Sequence, residues 1–201
     1  AIRYRRFGPP EVLEVVDVDA PEPAAGEIKV RVAAASLNPL DWKIRDGHLR
    51  FVPVLARPPR GTGTDFAGEI VAIGGGPGPR HVGERVFGSL SPFGRQGSCA
   101  EFVTVPAQHA VAMPPALTFE QAATLPVAGG TAVQALADDG RLTAGQRVLV
   151  TGGAGGVGHF AVRYAKHLGA HVSATCGPSN VEFVAGLGAD RVIDYTRTDV
   201  L

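Results

Sequence analysis

Arg147-Val-Leu-Val-Thr-Gly-Gly-Ala-Gly-Gly-Val-Gly158 is the stretch whose reading decides the fold. Val148, Leu149 and Val150 form a short apolar run, as expected of a strand buried on both faces of a parallel sheet. Gly153, Ala154, Gly155, Gly156, Val157 and Gly158 then fit the pattern G-x-G-x-x-G. Behind them Val157, Ala161, Tyr164, Ala165 and Leu168 recur at helical spacing, with Lys166 and His167 in the last turn and Gly169 able to cap it. A second apolar strand runs from Ala170 to Thr175. Alone, the glycine pattern is weak and fits a turn that binds nothing. Between a strand and a helix, with another strand behind, it reads as a dinucleotide turn. One glycine permits the turn, one lets the backbone approach a pyrophosphate, and one lets helix and strand pack closely. The helix start offers free N–H groups and a positive dipole end to that anion.

The rest of the chain sets bounds on function. At 201 residues it has room for one large or two small domains. Lys+Arg and Asp+Glu both number 19, which gives no sign of nucleic acid or an anionic membrane as partner. No apolar run nears the roughly 18 residues of a membrane span, and the start, Ala1-Ile-Arg-Tyr-Arg-Arg, does not read as a secretory signal. Cys99 and Cys176 fit a reducing compartment without a disulfide framework, so a cytoplasmic protein is expected.

Before residue 115 the dominant period is two. Ile28, Val30 and Val32 alternate with Lys29 and Arg31, a half-exposed antiparallel strand. Further strands are expected at Glu11 to Val18, Glu69 to Ile73, Val86-Phe87, Ala100 to Val105 and Ala110 to Met113. A loop with a helical turn after Pro39 follows Ser36, and loop is expected from Phe51 to Gly63 and from Gly74 to Pro79. Near Thr118 the period becomes helical. Thr118-Phe-Glu-Gln121 fits a capping box, with a helix to Leu125 and another over Val127 to Ala137. Ser179-Asn-Val-Glu182 fits a second box, opening a helix that ends at Gly188, and Arg191 to Tyr195 reads as a third strand. The expected domains are therefore 1–115, rich in β, and 116–201, α/β. A doubly wound domain has about six strands. Three precede Leu201, so a truncated chain or part of a longer protein is expected.

Three stretches together resemble the zinc-independent quinone oxidoreductases of the medium-chain dehydrogenase/reductase family. They are Ser36-Leu-Asn-Pro-Leu-Asp-Trp-Lys-Ile-Arg45, Gly63-Thr-Asp-Phe-Ala-Gly68, and the glycine turn through Leu187-Gly-Ala-Asp-Arg-Val-Ile-Asp-Tyr195. The resemblance implies a GroES-like β domain followed by a partial Rossmann domain with a doubly wound parallel sheet. It also implies a cleft between them where NADPH gives a hydride to a quinone or an activated alkene, and a homodimer or homotetramer. Zinc-dependent relatives carry Cys, His and Cys where this chain has Asn38, Thr64 and Val127. An amide, a hydroxyl and an aliphatic chain make no zinc site, and no cysteine cluster suits a structural zinc.

The resemblance also nominates residues. Asn38 stands where the family has an Asn beside the nicotinamide, holding a water or a substrate oxygen; an Asn-Pro turn residue is the plainer reading. Lys43 stands where many members carry Tyr, and is either a proton donor and oxyanion partner or a solvated surface lysine. Asp41 and Asp65 are expected to fix backbone, since a carboxylate beside a hydride acceptor would repel the developing oxyanion. Thr131 resembles the Thr that meets the nicotinamide carboxamide, and could equally cap a helix. An NAD enzyme usually puts Asp or Glu at the end of the second strand. Here Ala174-Thr-Cys-Gly-Pro-Ser-Asn180 has no carboxylate before Glu182. Thr175, Ser179 and Asn180 are expected to meet a 2′-phosphate, with Tyr195 at the adenosine end, so NADPH is preferred over NADH. A family lysine near Asn180 is lacking. The expected function is NADPH-dependent reduction of a quinone or α,β-unsaturated carbonyl. The alternatives are a catalytically silent nucleotide-binding or interaction protein and an enoyl-reducing module of a larger synthase.

Overall fold

The computed structural model describes residues 1–53, 57–76, 78 and 80–197. Parts of the expected loops after Phe51 and Gly74 lie outside the described residues. The chain divides into two compact units, Ala1–Val127 and the residues from Ala128 on. The first unit extends past the expected boundary at 115. Ala122 and Ala123, on helix α2 (Phe119–Ala123), are buried with Ala67 and Met113 of the first unit.

In the first unit, strands β3 (Glu27–Ser36), β5 (Asp65–Ile73), β6 (Arg85–Ser89), β7 (Phe102–Pro106) and β8 (Ala110–Ala112) form an antiparallel sheet in the order β7-β3-β5-β6-β8. The period-two reading of β3 holds at its core: Ile28 and Val30 are fully buried with Phe66, Ile70, Val86 and Val103. Val32 is half-buried, where the register against β5 shifts between Val32 and Ala34. A second sheet joins β1 (Ile2–Tyr4), β2 (Leu13–Val15) and β4 (Arg60–Gly61) in the order β2-β1-β4. β1 has three residues, too few to carry a period, and β4 lies within the stretch expected as loop. The strand expected over Glu11 to Val18 shrinks to β2, because Pro10–Val12 forms a 3-10 turn. The turn after Pro39 is helix α1 (Pro39–Arg45). The Thr118 capping box forms: the Gln121 N–H donates to Thr118 Oγ1 at 3.2 Å, and the Thr118 N–H donates to Gln121 Oε1 at 3.0 Å.

In the second unit, β9 (Arg147–Val150), β10 (His171–Cys176) and β11 (Arg191–Asp194) form a parallel sheet in the order β11-β10-β9. Helix α4 (Gly156–His167) links β9 to β10 and α5 (Val181–Gly186) links β10 to β11. β9 pairs with β10, and Val150 at its end is buried. The helical spacing of α4 holds at Ala161 and Ala165, which are buried together with Gly158 and Val162, whereas Val157 is exposed. The capping box at Ser179 does not form, because Pro178–Asn180 makes a 3-10 turn and Asn180 becomes the residue before α5. The helix expected over Val127 to Ala137 is α3 (Pro126–Val133), which widens into a π-helical turn at Gln134–Asp139.

Candidate functional site

The glycine turn is built from the ends of two strands. β10 runs two residues past the last rung it shares with β9, Ala174 beside Val150. That overhang meets the turn: the Gly153 N–H donates to the Thr175 carbonyl at 2.8 Å and the Gly152 N–H to Thr175 Oγ1 at 3.0 Å. The left-handed residue is Gly152, at φ 70°, one position ahead of the G-x-G-x-x-G pattern. Gly158 carries the close approach, since a Cβ there would stand 2.1 Å from the Gly152 carbonyl oxygen. The Gly155 N–H donates to that same oxygen at 2.9 Å.

Helix α4 therefore starts at a fixed place. The N–H groups of its first residues, Gly156, Val157 and Gly158, have no carbonyl of their own helix to bind. Nothing lies within 4 Å of where a Cβ on Gly156 would sit, so a ligand can come close to the backbone. This arrangement fits a diphosphate, which takes N–H donors and the positive end of a helix dipole. At the expected adenosine end, Ser179 is exposed, Asn180 half-buried and Tyr195 57% exposed. The Tyr195 hydroxyl lies 3.1 Å from where a Cβ on Gly177 would be, so that glycine leaves room for the ring. Thr175 is the exception among the residues expected to meet a 2′-phosphate. It is 5% exposed and its hydroxyl oxygen is engaged by the turn.

In the first unit, Asp65 gathers donors. Its Oδ2 accepts from the Asn38 side-chain amide at 2.9 Å, Ser36 Oγ at 3.1 Å and the Val127 N–H at 3.3 Å. Asp65 is fully buried, and its other oxygen has no partner among the described residues. Burial pushes the carboxyl above the usual aspartate value of 3.8, against the pull of Asn38, Val127 and Ser36, and the Asp41 charge adds to the rise. A second carboxylate, Asp41, accepts from Thr64 Oγ1 at 2.5 Å and from the Asn38 N–H at 2.6 Å. Asp41 and Thr64 also line a polar cavity of about 20 Å³ with Tyr4, Arg60 and Gln96, roughly the room one water needs.

Asn38, Thr64 and Val127, far apart in sequence, thus converge on two buried carboxylates. Among the described residues, no group of three or more His, Cys, Asp or Glu is arranged to hold a metal ion. Asp41 and Asp65, expected to fix backbone, each accept one backbone N–H, from Asn38 and Val127, and otherwise bind side chains. Ser36, which the sequence reading did not single out, belongs to the same cluster. Its signal was a polar residue ending an apolar strand.

Lys43 is on the exposed side of α1, its ammonium 5.8 Å from the centre of the Trp42 ring. Thr131 is exposed and lies inside α3, so it is not a helix cap. Cys99 is half-buried, and burial, then the Asp41 charge, raises its thiol above the ordinary value. No helix among the described residues is long and apolar enough to cross a membrane.

Known proteins match this picture. Residues 24–115 match the family described as the alcohol dehydrogenase GroES-like domain. The chain is 44% identical over 202 residues to the chloroplast envelope quinone oxidoreductase homolog of Arabidopsis thaliana, covering 97% of this chain and 60% of that protein. The solved quinone oxidoreductase from Coxiella burnetii superposes with a TM-score of 0.91 at 38% identity, over 99% of this chain and 63% of that one. The Escherichia coli quinone oxidoreductase, solved in complex with NADPH, superposes with a TM-score of 0.86 at 31% identity, over 99% of this chain and 59% of that one. The chain spans about 60% of the length of such relatives. A GroES-like unit followed by parallel strands around a glycine turn, in a chain this similar to quinone oxidoreductases along nearly its whole length, makes it a quinone oxidoreductase-like member of the medium-chain dehydrogenase/reductase family.

Proposed function

We propose that this chain belongs to an NADPH-dependent oxidoreductase that transfers a hydride to a quinone or an α,β-unsaturated carbonyl without zinc. The observation that carries the reading is the open backbone at Gly156, at the start of a helix held in place through Gly152 and Gly158. The N–H groups of Gly156, Val157 and Gly158 hold the diphosphate, and Gly153, Ala154 and Gly155 shape the turn. Ser179, Asn180 and Tyr195 receive the adenosine end. No carboxylate stands between Thr175 and Glu182 to repel a 2′-phosphate, which favours NADPH over NADH. Thr131 binds the carboxamide.

When bound, the reduced nicotinamide supplies the hydride. The chain's own residues do the rest. Asn38, its amide fixed by Asp65, holds a water or the oxygen of the acceptor. As negative charge grows on that oxygen, a proton comes from Lys43 or from water. The active species is a homodimer, in a reducing compartment that leaves Cys99 and Cys176 as thiols; the cytosol fits.

The test is NADPH oxidation with a small quinone or enone as acceptor, using the complete gene product that carries this chain. Turnover that is faster with NADPH than with NADH is expected. Binding of NADPH without turnover of any such acceptor overturns the reading in favour of a silent nucleotide-binding protein.

A further inference from the structure

The residue beneath the glycine turn has a different job from the one its position suggests. Thr175 takes two successive N–H groups of the turn, Gly152 through its side-chain oxygen and Gly153 through its carbonyl. The carbonyl bond lies beyond the last β9–β10 rung, Val150 beside Ala174. The hydroxyl bond takes the N–H of Gly152, the residue at which the chain enters the left-handed region, φ 70°. A short side chain standing on the overhanging strand meets it there.

Gly152 is in turn the pivot of the helix start. Its carbonyl accepts from the Gly155 N–H at 2.9 Å, and Gly158 packs against that carbonyl with no room for a Cβ. A chain of direct contacts thus runs from the Thr175 hydroxyl through the Gly152 peptide to the first turn of α4, whose N–H groups face the proposed diphosphate. Thr175 is also buried, whereas Ser179 is exposed and Asn180 half-buried.

We propose that Thr175 is a positioning residue that latches the diphosphate turn, and that discrimination for the 2′-phosphate belongs to Ser179 and Asn180. This rests on the nucleotide-binding reading above. The hydroxyl acts on what NADPH and NADH share, so its loss weakens both equally. A hydroxyl bound to the 2′-phosphate acts on NADPH alone.

The experiment compares T175V, T175S and S179A in the complete gene product, with dissociation constants for NADPH and NADH and amide exchange at Gly152 and Gly153 in the ligand-free protein. T175V is expected to weaken both nucleotides by about tenfold, the size of one hydrogen bond, with their ratio unchanged. It is also expected to speed exchange at Gly152. T175S restores both properties, and S179A lowers affinity for NADPH but not NADH. Loss of NADPH affinity alone in T175V overturns the proposal, as does unchanged binding of both nucleotides. Should T175V not fold, T175A against T175S gives the same comparison. If neither T175V nor T175A folds while T175S does, the hydroxyl serves the fold and the latch role is overturned. If the wild-type protein binds neither nucleotide, the functional reading fails by itself. Exchange at Gly152 then decides the latch, and no acceleration in T175V overturns it.

Discussion

Strands β5 and β9 carry the two groups of candidate residues, and they are held differently. β5 is paired on both edges, by β3 and β6, and Phe66 and Ile70 are fully buried. β9 pairs with β10 over four residues and runs into the glycine turn. The polar groups follow the same division. At the start of β5 a buried carboxylate collects donors from three places in the first unit. At the end of β9 almost every bond is made by backbone, with one hydroxyl as help. The first arrangement needs a closed core, because a buried charge without donors is costly. The second needs close backbone approach, which glycines supply whether or not the strand is covered.

That difference can be broken or sharpened by substitution. The largest effect is expected for Phe66→Ala, about 3–5 kcal/mol lost in urea unfolding, because its side chain is fully buried. A loss under about 1 kcal/mol would show that the core around β5 is not closed. Next comes Gly158→Ala. Its Cβ meets a backbone oxygen that cannot turn aside, so a loss of about 1–3 kcal/mol is expected, together with NADPH binding. Gly156→Ala is its counterpart. It has open space, so thermal stability should hold while NADPH affinity falls; unchanged affinity would argue that no diphosphate approaches there.

Asp65→Asn probes the other arrangement through pH. Burial raises the folded carboxyl above 3.8, so the folded chain binds the extra proton more readily than the unfolded one. The contribution of Asp65 to stability is therefore fullest below 3.8 and is lost as pH climbs through the folded value. The free energy of unfolding measured across that window should fall with rising pH more steeply in the wild type than in D65N, and parallel curves would show that Asp65 does not titrate there. The smallest effect is expected for Lys43→Met. Water can replace an exposed proton donor, so kcat should drop less than about tenfold with nucleotide affinity unchanged.

The resemblance carried by short motifs predicted the family and the order of the two units. Local physics predicted much of the element list. The period of β3, the Thr118 capping box and the glycine turn between strand and helix need no distant residue, and all three form. The errors came where neighbours decide. Ser179 has the spacing of a cap, yet Pro178 draws it into a 3-10 turn. Val157 has helical spacing with Ala161, yet its direction on α4 is set by where the sheet lies, and Val162 is buried instead.

What the sequence determined by itself was therefore the type and order of elements, because propensity, caps and period act within a few residues. Only the tertiary structure decided which side chains meet. Asn38 reaches Asp65 across 27 positions and Val127 reaches it across 62. Thr175 loses its freedom to a peptide 23 positions earlier. Such bonds depend on strand register and on burial, and neither is written in any one stretch of the chain.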